Sequence, residues 1–303
     1  MLELKVIREL FVDSANGAPP QKLSAASGLA KVGQRVFVIA DDENYLGMFD
    51  LSNGESGQLL RLFDGDLPSR HKARKGAKPD CETLLALPSF GDYPHGALMA
   101  MGSGSRPARQ RAALLALDAA GDIRGPVRTV DLTPLLNPLR DHLPDLNIEG
   151  AFVQGDTLSL LQRGNSGSGM NARIDFSWRD LQRWLATAGP APAPALITCF
   201  ELGKIDGVPL SFTDGAALPG GEWLFSAAAE NTTDTYRDGV CVGSAIGHVD
   251  ANGKILTLER LSLICKVEGI TATSTRDTVE LLLVTDADDR LQPALLLSAD
   301  LRR

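Results

Sequence analysis

Cysteine, histidine and tyrosine are scarce in this 303-residue chain, at four, four and three copies, and their scarcity removes several kinds of chemistry. Cys81, Cys199, Cys241 and Cys265 are far apart and form no CxxC pair, which argues against a zinc ribbon or a redox motif. They are expected to be reduced, mostly buried thiols of a cytoplasmic protein. His71, His95, His142 and His248 show no metal-ligand spacing. No apolar run is long enough to cross a bilayer, and Met1-Leu2-Glu3-Leu4-Lys5 does not begin a secretory signal, so no membrane partner is expected. GxGxxG and Walker loops are missing, and Gly164-Asn165-Ser166-Gly167-Ser168 fails the GxSxG elbow at its last position. Positive charge is also in deficit. With 30 Lys and Arg against 38 Asp and Glu, the net charge of −8 opposes nucleic-acid binding, which needs an excess of basic side chains, and leaves cations as natural partners.

What the chain does contain is many short β-branched or leucine-rich runs separated by Gly, Asp, Asn and Pro turns, the pattern of an all-β fold. Read against itself, it repeats one motif five times: Ser27-Gly28-Leu29, Glu82-Thr83-Leu84, Glu149-Gly150-Ala151, Asp214-Gly215-Ala216 and Glu268-Gly269-Ile270. Each copy is followed by an apolar strand, such as Val36 to Ala40 or Leu281 to Val284, and by a third strand reaching an aspartate: Asp50, Asp118, Asp175, Asp250 and Asp300. Fourth strands follow in four copies, and three of the aspartates open glycine-bearing turns. The last repeat stops one strand short, while Leu4 to Leu10 is a strand with no earlier blade. A five-bladed β-propeller spanning residues 1–303 and closed by that N-terminal strand in the last blade accounts for both facts. A sixth blade would have to lie within 177–195, where Trp178, Leu181, Trp184 and Leu185 instead predict a helix behind Ser177 and Asp180.

In a propeller the innermost strands line a central channel, so Ser27, Glu82, Glu149, Asp214 and Glu268 are expected to converge on one axis. Carboxylates brought together without a counter-ion repel one another, and a hard cation with six to eight oxygen ligands relieves them, Ca2+ more readily than magnesium or zinc. The competing reading is that each acid caps a turn or accepts backbone N–H groups from the next blade.

These motifs, together with Lys78-Pro79-Asp80-Cys81-Glu82, Asn147-Ile148-Glu149-Gly150 and Lys266-Val267-Glu268-Gly269-Ile270, resemble those of the phytase-like propellers labelled "esterase-like activity of phytase". More distantly they are similar to the five-bladed calcium-activated apyrases. The resemblance implies a propeller and a central calcium held in the order Ser, Glu, Glu, polar, Glu. Alkaline phytases have six blades and further acidic clusters, a pattern from which five blades depart.

The loops between second and third strands should open on the face of the motif residues. Those of blades 1, 4 and 5 are acidic. Blades 2 and 3 offer Ser103, Ser105 and Arg106, and Arg163 and Asn165, beside His71 and Lys78 from the preceding connection. Such glycine-rich loops edged with arginine suit a small anion. Two functions are therefore expected. One is a calcium-dependent hydrolase of a phosphoester or nucleotide-like substrate, with Glu82 or Glu149 as base. The other is a non-catalytic propeller in which calcium staples the blades and the polar face binds a ligand or protein.

Overall fold

Alternating apolar residues give each strand one face toward each neighbouring blade, so no blade can bury its side chains alone. The computed structural model describes residues 1–14, 18–164, 169–187, 189–231 and 239–302, without the His71 side chain. Blade 1 comprises Ala26–Val32, Arg35–Ala40, Tyr45–Asp50 and Gln58–Arg61. Blade 2 comprises Cys81–Leu87, Ala97–Gly102, Arg111–Leu117 and Ile123–Asp131, and blade 3 Ile148–Gln154, Thr157–Gln162, Asn171–Ser177 and Leu196–Phe200. Blade 4, formed by Val208–Ala217, Trp223–Asn231, Val240–Val249 and Ile255–Arg260, carries the two-residue strand Lys204–Ile205 on its inner edge. Within each sheet the strands run antiparallel in chain order.

Blade 5 takes Lys266–Ser274, Thr278–Asp286 and Leu295–Arg302 from the end of the chain and Lys5–Glu9 from its beginning, with Lys5 opposite Ser298 and Glu9 opposite Leu295. Beyond it, Leu10 donates its N–H to Ala294 O at 2.9 Å, and Leu2 bridges Leu261 of the neighbouring connection. The five inner strands touch in the cyclic order of the blades, the last against the first. This is the five-bladed β-propeller that the repeat predicts, with its seam inside blade 5.

Five hydrophobic clusters fill the five spaces between blades. Phe37 and Ile39 meet Leu84 and Leu98 between blades 1 and 2, and Leu29 and Val36 meet Val284 and Leu296 between blades 5 and 1. The aromatic residues gather between blades 3 and 4, where Phe152 stacks on Trp223 at 5.3 Å. Between blades 2 and 3 the helix Trp178–Thr187 joins the cluster with Trp178, Leu181, Trp184 and Leu185. The Asp180 N–H bonds the Ser177 hydroxyl at 3.3 Å, capping the helix as expected.

A second helix, His71–Ala77, stands where only a charged connection was expected. It has no apolar stripe. Arg74 instead pins it to the first blade, donating to Asp42 O at 3.0 Å and to Glu43 Oε1 at 2.5 Å. The four cysteines are free thiols, but only Cys81 is buried, so the expectation of mostly buried cysteines is corrected: the others lie near exposed strand edges and loops. No helix is long and apolar enough to cross a membrane among the described residues.

Candidate functional site

Every inner strand slips register by one residue. Ala26 faces Ala40 but Gly28 faces Ile39, leaving Ser27 as an extra residue. The same slip makes Glu82, Glu149 and Glu268 the extra residues of blades 2, 3 and 5. Such a bulge re-aims a side chain, and all four line one cavity of about 310 Å³ at the mouth of the channel.

In blade 4 the extra residue is Thr213, between Phe212 opposite Ala227 and Asp214 opposite Ser226. The placement of Asp214 in the ring of axial ligands is thereby corrected. It occupies the position of Gly28, Gly150 and Gly269 in the other blades, where the side chain turns into the blade interface. Its carboxylate accepts the N–H of its own Gly215 at 2.8 Å and of Ile270 in blade 5 at 3.0 Å, with a further backbone bond from Ala151 in blade 3. Asp214 thus joins three blades through their backbones. Where the other blades carry glycine, the neighbouring backbone comes too close for a side chain: a Cβ on Gly150 would lie 2.5 Å from the Asp214 Cα.

Nor do the converging acids lack counter-ions. Arg163, only 6% exposed, reaches Glu149 at 2.9 Å and Glu268 at 3.8 Å, and also pairs with Glu230. Lys266 is shared among Glu268 at 2.8 Å, Glu230 and Asp288 at 3.4 Å, and Asp286 at 4.0 Å. Lys78 pairs with Asp41 and, at 2.9 Å, with Asp80. The assignment of Arg163 to a separate anion sector is accordingly corrected: blade 3 carries it into the centre, where it neutralises the ring.

Pairing does not fully offset burial. Glu149, hydrogen-bonded by Asn147 Nδ2 at 2.5 Å as well as by Arg163, is pushed up to about 7 by burial, with Arg163 opposing and Glu268 reinforcing the shift. Burial likewise raises Asp41 to about 6 and Asp286 to about 8, against the pull of Lys78 and Lys266 respectively. Glu82 is held well above the usual carboxylate range by burial and by the charge of Glu149. Glu82 makes no hydrogen bond or ion pair among the described residues. One oxygen each from Asp41, Asp80 and Glu82 lie within 4.8 Å of one another, and the Ser27 hydroxyl is beside them, accepting the Asp41 N–H at 3.2 Å. This wall gathers oxygen donors, and because Lys78 pairs with Asp41 and Asp80 and Arg109 with Asp80, Glu82 is its one acid without an ion pair among the described residues.

Of the anion-binding candidates, Ser105, Arg106 and Lys78 line the cavity. Ser103 is fully buried behind it, donating to Asp80 Oδ2 at 2.6 Å, and is corrected from a ligand contact to a support of that wall. Asn165 and the His71 side chain lie outside the described residues. The structure brings further basic groups to the cavity. Arg109 is held by Asp80 at 2.5 Å, Arg140 by the Gly104 carbonyl, and Lys75 comes from the helix. Lys266, Asn147 and Asp80 were legible in one respect: each stands two residues before a motif acid, the spacing that returns a strand side chain to the same face.

A family model described as "Family of unknown function (DUF6929)" matches residues 22–301. No curated protein matches the chain. Among solved structures, the tail fibre of Staphylococcus aureus phage P68 superposes with a TM-score of 0.50 at 10% identity, over 99% of this chain and 53% of its own. The chain thus spans about half of that protein, and the likeness concerns the fold alone. Myxococcus xanthus glutaminyl cyclase gives 0.49 at 10% identity, over 100% of this chain and 98% of its own. The α-L-arabinofuranosidase Arb93A of Fusarium graminearum gives 0.42 at 10% identity, over 97% and 96%. Neither of these two bears on the chemistry.

Proposed function

Since the chain belongs to the DUF6929 family, for which no function is described, its cavity is the guide to its activity, and we propose that it is a calcium-assisted hydrolase of a small anionic substrate, most suitably a phosphoester. The observation that carries this reading is Glu149, a buried carboxyl on the cavity wall whose proton affinity is lifted to about 7. A carboxylate so tuned takes a proton from water near neutral pH far better than an ordinary one. Lys75, Lys78, Arg106 and Arg140 line the same cavity and suit the anionic oxygens of a phosphoester.

In the reaction, a water oxygen bonds to phosphorus as the bond to the leaving alcohol breaks. Glu149 accepts the proton of the water, and the alcohol oxygen takes one from solvent. Ser27, Asp41, Asp80 and Glu82 would hold calcium, which when bound supplies positive charge against the substrate oxygens. Glu82 then belongs to the cation side rather than to proton transfer.

The test is phosphate release from a panel of phosphomonoesters with calcium or with a chelator. Turnover is expected only with calcium, and Glu149→Gln should lower it by ~100-fold or more while inorganic phosphate still binds. Release that persists unchanged in Glu149→Gln rules the base out. A second reading, a binding module without turnover, is favoured by the ion pairs that Arg163 and Lys266 already make with the acids. Phosphate binding with no release across the panel selects it.

A further inference from the structure

The charges around the cavity mouth are unevenly spread over the blades. Arg106 belongs to blade 2 and Arg140 to the connection between blades 2 and 3, whereas Asp286 and Asp288 end the second strand of blade 5 and begin its loop. In a ring of five, blade 5 stands opposite the junction of blades 2 and 3, so a basic rim faces an acidic one across the cavity. The acidic rim is short of cations. Among the described residues, the only basic group within ion-pair distance of Asp286 or Asp288 is Lys266, which also serves Glu230 and Glu268. Asp288 is 31% exposed and Asp286 11%, so both stay reachable by a ligand. A smaller chamber of about 150 Å³ continues the cavity past these two aspartates and Asp41, between blades 5 and 1.

We propose that the ligand is a small zwitterion, its anionic head group against Arg106 and Arg140 and an alkylammonium group against Asp286 and Asp288. The inference rests on the reading of the cavity as an anion site and adds the second charge. A simple anion satisfies one rim and leaves Asp286 and Asp288 with only Lys266, which Glu230 and Glu268 also share. A zwitterion brings to each rim a charge opposite to its own. The ammonium also adds hydrogen bonds to charged oxygens, which exceed neutral ones in strength.

Isothermal titration in a chelator, so that no calcium at the neighbouring Asp41 repels the ammonium group, compares three probes of one carbon skeleton: phosphorylethanolamine, ethyl phosphate and ethylammonium. Phosphorylethanolamine should bind at least about tenfold more tightly than ethyl phosphate. Asp288→Asn, at an exposed position where folding is not at risk, should erase that difference and leave ethyl phosphate unaffected, and Asp286→Asn should do the same if it folds. Equal binding of the two phosphates overturns this inference and leaves the anion site standing. Binding of ethylammonium alone, or of no probe, overturns the anion site and the zwitterion together.

Discussion

Glu149 keeps its proton to about pH 7 because the cavity wall shields it from water more than Arg163 compensates. The consequence for stability has a definite sign. Below the ordinary glutamate value of 4.5 the carboxyl is protonated both folded and unfolded. Between there and about 7 the unfolded chain releases the proton while the folded chain retains it, so rising pH favours unfolding. The effect is on the order of 3 kcal/mol for this residue, and Asp41 and Asp286, also raised, act in the same direction. Thermal unfolding from pH 5 to 8 should show the melting temperature falling, and Glu149→Gln should flatten the fall. An unchanged slope in that variant would show that Glu149 ionises normally. At this scale the sequence was informative where the motif acid truly occupies the bulge, as at Glu82, Glu149 and Glu268. It misled at Asp214, because Asp-Gly reads like Glu-Gly, and a shift of one residue turns a side chain to the other face. Counter-ions were the second gap. Arg163 lies on a different blade from Glu230 and Glu268, and nothing along the chain marks that meeting.

Elements were easier to read. The strand at Leu4 to Leu10 and the missing strand of the last repeat together implied the seam, because unpaired strand edges in a propeller are normally hidden. The helix at 178–187 announced itself through its apolar spacing, whereas that at 71–77 could not, since tertiary ion pairs rather than an apolar face hold it. Deleting residues 1–12 should be costly. It exposes the edge of Leu295–Arg302 and removes three buried side chains, Leu2, Leu10 and Val12, worth on the order of 5 kcal/mol in burial alone. Urea unfolding of the truncated chain measures the loss. A midpoint equal to that of the full chain would mean that the seam contributes nothing.

For the whole molecule, the placement of the apolar clusters matters more than their size. Each lies between two blades, so none survives the loss of either neighbour, and the ring should unfold in one step. Trp178 and Trp184 report on the space between blades 2 and 3 and Trp223 on that between blades 3 and 4, so fluorescence and far-ultraviolet dichroism should give coincident transitions. Separate midpoints would mean that some blades stand alone. The seam also sets a timetable. The partner of Lys5 is Ser298, so as the protein is synthesised the strand Lys5–Glu9 must wait for Leu295 to Ser298 before it can pair. Closing so long a span carries an entropic cost and slows folding. Until then Val6 and Arg8 lack their partners Leu297 and Leu296 on a nascent chain, and the ring stays open to whatever strand reaches it first.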